Sequence, residues 1–223
     1  MNILLLSRSN FEIKSFLIKY LKLKFKNVSI VLDDVENKKY RNIFKAKYSY
    51  AFLFGYEKLI KKEYLNKIKY PLNFHPAGRK YPGAGCYSYS LYNKDKYHGV
   101  ICHLAVEKPD SGFIVREKKF VIASDENFLT LREKTLLMGL KLFYEIVDEI
   151  YKNNEIKFSK KLKWKKLKKQ KDYLNDLLII KNKSELKRKI LINNPFKKGP
   201  WVKKKNKLKE IKLRTKLKYF YPK

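Results

Sequence analysis

The chain has 223 residues, 44% of them hydrophobic and 15% aromatic, which is enough for one domain with a buried core plus a modest appendage and excludes wholesale disorder. Its 54 lysines and arginines against 21 acids give a formal net charge of +33, which raises a polyanion-binding reading. Only seven of the basic residues are arginine, the side chain suited to bidentate phosphate and base contacts, so the charge reads first as compositional bias, with nucleic acid an unfavoured partner.

In chain order, NILLLS (2–7) is a short continuous apolar run, the pattern of a strand buried on both faces. NFEIKSFLIKYLKLKF (10–25) predicts a helix capped by Asn10, with Phe11, Leu17, Tyr20 and Leu21 near helical spacing. NVSIVL (27–32) and YAFLFG (50–55) read as strands, EKLIKKEYLNKI (57–68) as a helix, and YPLNFHP (70–76) as a strand stopped by Pro76. This alternation predicts an α/β Rossmann-like fold, a mostly parallel sheet flanked by helices with its active site at the carboxyl ends of the strands.

The rhythm then changes. A glycine turn, PGAG (82–85), precedes a helix carrying Tyr87, Tyr89 and Tyr92, mostly core, with one of them in reach of a ligand. YHGVICHLAV (97–106) and GFIVREKKFVI (112–122) are strands joined by the polar turn EKPDSG (107–112). A long helix follows over 124–152, capped by Asp125 or Ser124, with Phe128, Leu131, Leu136, Leu140, Phe143, Val147 and Ile150 on one side. The composition shifts near residue 152: residues 151–223 hold 27 lysines and arginines against 5 acids. This divides the chain into a catalytic domain (1–152) and a lysine-rich C-terminal extension (153–223), with a helix near 171–180 and the tail NNPFKKGPWV (193–202).

The chemistry concentrates in residues 71–110. All three histidines, His75, His98 and His103, fall within thirty residues of one another. Asn73 and His75 are two apart on a strand, so both side chains leave the same face, and Pro76 keeps His75 extended. An amide beside an imidazole suits a reaction in which one group takes a proton and the other binds a developing oxyanion; Asp110 is a candidate to stabilise the imidazolium. Gly83 and Gly85 let the backbone approach a ligand closely. The histidine spacings fit no common zinc pattern, so no metal is expected. The two cysteines, Cys86 and Cys102, suggest reduced thiols, and no run is apolar enough to span a membrane, so a cytoplasmic protein is expected.

LNFHPA, the turn YPGAG, and HGVICHLAVEKPDSGFIV in that order and spacing resemble the folate-dependent formyltransferases over residues 1 to about 150. The resemblance implies that Asn73, His75 and Asp110 are the catalytic trio and that N10-formyltetrahydrofolate is the co-substrate, without a metal. Its formyl carbon would be attacked by an amine, with Asn73 on the resulting oxyanion, His75 as base and Asp110 balancing the imidazole. His103 would be a supporting residue. Ile101–Cys102 departs from the threonine usual before that histidine. By the same resemblance Phe54, Gly55, Tyr56, Gly83 and Asp125 would bind the folate, and Tyr81, Tyr87 and Trp201 the acceptor, with Trp164 or Trp201 to cover a nucleotide base or close the pocket.

Among such enzymes, the short sugar N-formyltransferases, with NFHPA, YPG.GCYSYSLYN and a GPW-containing C-terminal element, are the most similar. They imply a nucleotide-linked 4-amino-4,6-dideoxy sugar for surface polysaccharide as the partner substrate, with the tail's lysines on its diphosphate. Alternatives are a methionyl-tRNA formyltransferase-like enzyme and a basic nucleic-acid-binding protein on the same fold. The oligomeric state is left open.

Overall fold

Ile3, Leu4, Leu5 and Leu6 are all fully buried because the strand they form, β1 (Asn2–Ser7), is covered on both faces. The computed structural model describes residues 1–40, 42–158, 162–204 and 207–220. After β1 come α1 (Lys14–Lys24), β2 (Asn27–Leu32), two 3₁₀ turns at Lys38–Tyr40 and Ile43–Lys45, β3 (Tyr48–Phe54), α2 (Lys62–Leu65) and β4 (Ile68–His75). Then follow α3 (Cys86–Tyr92), β5 (Tyr97–Leu104), β6 (Ile114–Val121) and α4 (Phe128–Asn153). The six strands make one sheet in the order β2-β1-β3-β4-β5-β6, parallel from β2 to β4 and antiparallel from β4 to β6. The sheet is mostly parallel and helix-flanked, as its sequence rhythm predicts.

The pleat sorts the strand side chains. Ile3, Leu5, Phe52, Phe54, Leu72 and Phe74 face α1 and α4, where Phe143 lies 5.4–6.2 Å from the rings of Phe52, Phe54 and Phe74. Leu4, Leu6, Ala51 and Leu53 face the opposite way, onto Val35, Phe44 and Ile60 beneath the 3₁₀ turns and α2. Because Phe74 points into the first cluster, its neighbours Asn73 and His75 are committed to the other face.

Four local expectations are corrected. α1 begins at Lys14, not after Asn10; Ile13 takes the cap position without a side-chain bond. Phe11 instead sits in the preceding turn, its ring where a Cβ on Gly55 (φ +67°) would lie, and a side chain at Gly55 would expel it. The helix expected over 57–68 shrinks to one turn, because residues 57–60 are drawn into a cavity wall. α4 is capped by Asn127 in a capping box with Thr130, so Ser124 and Asp125 lie in the exposed turn before it.

Beyond α4, α5 (Gln170–Tyr173) runs into a π turn (Leu174–Leu178) and β7 (Ile179–Ile180), so the helix expected near 171–180 is short and ends in a strand. α6 (Glu185–Leu191), β8 (Trp201–Lys204), β9 (Lys207–Glu210) and α7 (Leu213–Phe220) complete the fold, with a small sheet in the order β7-β8-β9. The buried Asn193 ties this part to α3: its amide oxygen accepts from Ser88 and Tyr173, and its nitrogen donates to the carbonyls of Leu177 and Lys189. Every hydrogen-bonding group of that buried amide is used, as burial demands.

Candidate active site

A cavity of about 650 Å³ opens at the carboxyl ends of β1, β3 and β4, the place an α/β sheet reserves for ligands. Asn73, His75, His103 and Asp110 all line it. The antiparallel register sets Asn73 directly opposite His103 on β5, and a β-bulge at Cys102–His103 interrupts the β5–β6 pairing beside them. Asp110 arrives from the β5–β6 loop with φ +45°, a left-handed conformation that aspartate tolerates better than most side chains.

His75 Nε2 lies 3.0 Å from the Tyr81 carbonyl and donates to it, which leaves Nδ1 as the basic nitrogen, 3.3 Å from Asp110 Oδ2. Burial lowers the pKa of His75, against the pull of Asp110 and of the Tyr81 carbonyl, so the ring is neutral at neutral pH. Burial alone would raise Asp110. The His103 imidazole, the nearby His75 and the amide of Gly83 (2.9 Å to Oδ2) outweigh it and hold the carboxyl at about 2. The pair therefore rests as a neutral base beside a fixed carboxylate, and a proton taken at Nδ1 is at once matched by negative charge.

His103 organises the amide. Its Nδ1–H donates to the Leu104 carbonyl at 2.8 Å, so Nε2 accepts from Asn73 Nδ2 at 2.9 Å. One N–H of Asn73 is thus spent on His103 and the second is left to donate into the cavity. His103 Nε2 also approaches Asp110 Oδ1 to 3.4 Å, the contact through which its imidazole draws the Asp110 carboxyl down.

Gly83 carries the turn that supports Asp110. Its φ is +91°, and a Cβ there would lie 2.2 Å from the Lys168 carbonyl, so only glycine fits. Residues 165–168 run beside the glycine loop: Lys165 N–H donates to Arg79 O, Lys168 N–H to Pro82 O, and Ala84 N–H to Lys168 O. Trp164, preceding them, donates its indole N–H to Gly112 O at 2.8 Å and stands edge-on to His75 and His103 at 5.8 and 5.1 Å. It lies behind the imidazoles and does not line the cavity, contrary to its expected place over a nucleotide base.

The other expected residues divide. Phe54, Gly55, Tyr56 and Gly83 line the cavity, and so does Tyr87, whose ring meets Phe128 at 5.4 Å. Trp201 lines an adjoining cavity of about 660 Å³ that shares Ala84, Cys86, Tyr87, Phe128, Asn194 and Lys197 with the first. Tyr81 does not reach either: its hydroxyl donates to Asp95 Oδ2 at 2.6 Å, its ring stacks on Tyr89, and only its carbonyl touches His75. Asp125 is exposed and outside both linings, because the helix it was expected to cap starts two residues later.

Sequence reasoning missed Arg8 (2.7 Å from Glu57), Phe11, Arg132 (paired with Glu12) and the lining part of Asn194. None belongs to a motif; the strand order alone brings them together. His98 is structural: Nε2 donates to Pro76 O and Nδ1 accepts from Ser90 Oγ at 2.7 Å, and burial lowers its pKa to about 4. Cys86 and Cys102 are free and buried, with burial raising Cys86 to about 12. Among the described residues no three histidines, cysteines or acids are placed to hold a metal ion, and no helix is long and apolar enough to cross a membrane.

The chain is 32% identical over 127 residues to the methionyl-tRNA formyltransferase of Wolbachia pipientis subsp. Culex pipiens, a match spanning 56% of this chain and 42% of that protein. Its fold superposes on a sugar N-formyltransferase from a Shewanella species with a TM-score of 0.73 at 17% identity, covering 95% of this chain and 96% of that one. It also superposes on the formyltransferase PseJ of Anoxybacillus kamchatkensis, solved with UDP-4,6-dideoxy-4-formamido-L-AltNAc and tetrahydrofolate. There the TM-score is 0.64 at 22% identity, over 79% and 90% of the two chains. The formyl transferase family profile matches residues 15–147, the stretch that supplies Asn73, His75, His103 and Asp110. The chain belongs to the formyl transferase family.

Proposed function

We propose that this protein transfers the formyl group of N10-formyltetrahydrofolate to the amine of a nucleotide-linked amino sugar. The observation that carries the reading is that Asn73, His75 and Asp110 line a cavity adjoining a second one, and the two linings differ in chemistry. On one side Leu53, Tyr56, Leu59, Ile60, Leu65 and Val106 form a largely apolar slot edged by the backbone of residues 55–60, which fits a flat heteroaromatic ring such as a pterin. On the other, Tyr87, Phe128, Asn194, Lys197, Lys198 and Trp201 offer aromatic faces and cations, which fit a base and a diphosphate.

The co-substrate, when bound, supplies an electrophilic formyl carbon. His75 Nδ1 takes the proton that the amine sheds as it bonds to that carbon, Asp110 stabilises the imidazolium so formed, and the same proton would go back to N10 as the carbon–N10 bond breaks and tetrahydrofolate leaves. Asn73 donates its second N–H to the oxygen on which negative charge develops, and His103 keeps the amide turned that way. Phe54 and Gly55 shape the folate side, with Gly83 holding Asp110 toward it.

The structural match to the Shewanella enzyme runs almost the whole length of both chains, the C-terminal part included, and this supports a sugar over a tRNA acceptor. The test is direct. Purified protein with N10-formyltetrahydrofolate is offered dTDP-, UDP- and GDP-linked amino sugars, followed by HPLC, and separately charged initiator methionyl-tRNA. A formamido sugar product is expected; formylated tRNA with no sugar product would replace the acceptor, and product from neither would remove the enzyme reading.

A further inference from the structure

We propose that Trp164 is a positioning residue of the active site, sealing the rear of His75 against water and locking the Asp110 loop to the glycine loop. The inference rests on the reading of His75 as the base. The sequence places Trp164 in the lysine-rich extension, 89 residues beyond His75 and outside the stretch matched by the family profile. The fold returns it to the centre. Its indole is edge-on to both His75 and His103, and its N–H holds the Gly112 carbonyl two residues from Asp110. The residues after it pair with Arg79, Pro82 and Ala84, so one short strap fastens the loop that provides the Tyr81 carbonyl to His75 and the Gly83 amide to Asp110.

Among the described residues, His75 faces Asp110 from the β5–β6 loop, the Tyr81 carbonyl from the glycine loop, His103 from β5 and the Trp164 ring from the strap, with His98 of β5 near enough to feel its charge. Lys163 and Lys165, which flank the tryptophan, are exposed. Trp164 is therefore the apolar member of the shell, and His75 is only 6% exposed with it in place. Removing the ring admits water behind the imidazole and makes protonation easier, since burial is what disfavours the charged form. The strap thus sets how far into the acid range the base stays neutral.

The test uses the full chain labelled at histidine, because only three histidines contribute signals. Wild type, Trp164→Phe, Trp164→Leu and Trp164→Ala are titrated by NMR without substrate, so the readout does not depend on which amine is formylated or on formyl transfer occurring. Expected is a His75 midpoint near wild type in the Phe variant, higher in Leu and highest in Ala, with His98 moving less than His75. In the enzyme assay the acid limb of kcat/KM moves the same way, while KM for the acceptor changes less than about twofold. If Trp164→Ala fails to fold, the Phe and Leu variants carry the comparison. An unmoved His75 midpoint in the smaller variants, or one that shifts as much in Phe as in Leu, overturns the proposal.

Discussion

Nδ1 of His75 and Oδ2 of Asp110 lie 3.3 Å apart, while Nε2 of the same ring is tied to the Tyr81 carbonyl at 3.0 Å. The imidazole is thereby fixed in one tautomer and aimed at one carboxylate. Replacing His75 by alanine removes the base, and a loss of about a hundred- to ten-thousandfold in kcat is expected. Asp110→Asn keeps an acceptor for the Gly83 amide but removes the charge; a fall in kcat of about a hundredfold or more with an unchanged circular dichroism spectrum is expected. Steady-state assays of the two variants decide this, and a rate near wild type in either would mean that the proton leaves by another route.

Asn73 has a separate task. With one N–H on His103 Nε2, its remaining donor serves the developing charge, and Asn73→Ala should lower kcat by about a hundred- to a thousandfold. The acceptor KM should hardly change, because this donor contributes chiefly in the transition state. A variant that instead raised KM at constant kcat would assign Asn73 to substrate binding.

The buried histidines also make stability depend on pH. His98 has a folded pKa of about 4 against an ordinary value of 6.5, so the unfolded chain binds the proton first, and stability is lost as pH falls from about 6.5 to about 4. That one site is worth about 3 kcal/mol over the window, and His75 acts in the same direction. Asp110, held at about 2 against 3.8, adds about 2 kcal/mol that disappears only below about pH 4. Urea unfolding across this range should show midpoints that decline from near neutrality downward, and a shallower decline in His98→Asn. Equal slopes in the two proteins would show that His98 is not what titrates.

Lys197 and Lys198 stand at the lip of the cleft on a loop clamped from below, where Lys216 Nζ donates to Lys197 O at 2.8 Å and the Gly199 N–H to Glu210 at 2.7 Å. Both side chains are exposed, so each contact with a diphosphate is screened. The double change to alanine should raise acceptor KM about tenfold at low salt with kcat near wild type, and the gap should narrow as salt is added. Initial rates over a salt series measure this; an acceptor KM indifferent to both changes would place the diphosphate elsewhere.

The parallel part of the sheet was legible because β1 and β3 are nearly continuous apolar runs, and Asn73 and His75 because a period of two leaves no choice of face once Phe74 is buried. Helix starts were less legible. Asn10 and Asp125 are good capping residues, yet Phe11 is more stable against Gly55 than in a helix, and Asn127 with Thr130 offers a reciprocal cap that a lone aspartate does not. The surroundings of the site were the hardest part to read. Asp110 was found through a motif, whereas Trp164, Arg8 and Arg132 carry no local signature, and only strand order and a returning strap reveal where they go.

The returning strap also orders events during synthesis. A nascent chain that has emerged through α4 already owns the amide, both imidazoles and the carboxylate, yet the loops that aim them have nothing to lean on. Translation must run some fifteen residues past that helix before the brace arrives (the end of α4 is Asn153, the last strap residue Lys168). The residues that brace the site therefore follow, along the chain, every strand of the sheet that houses it.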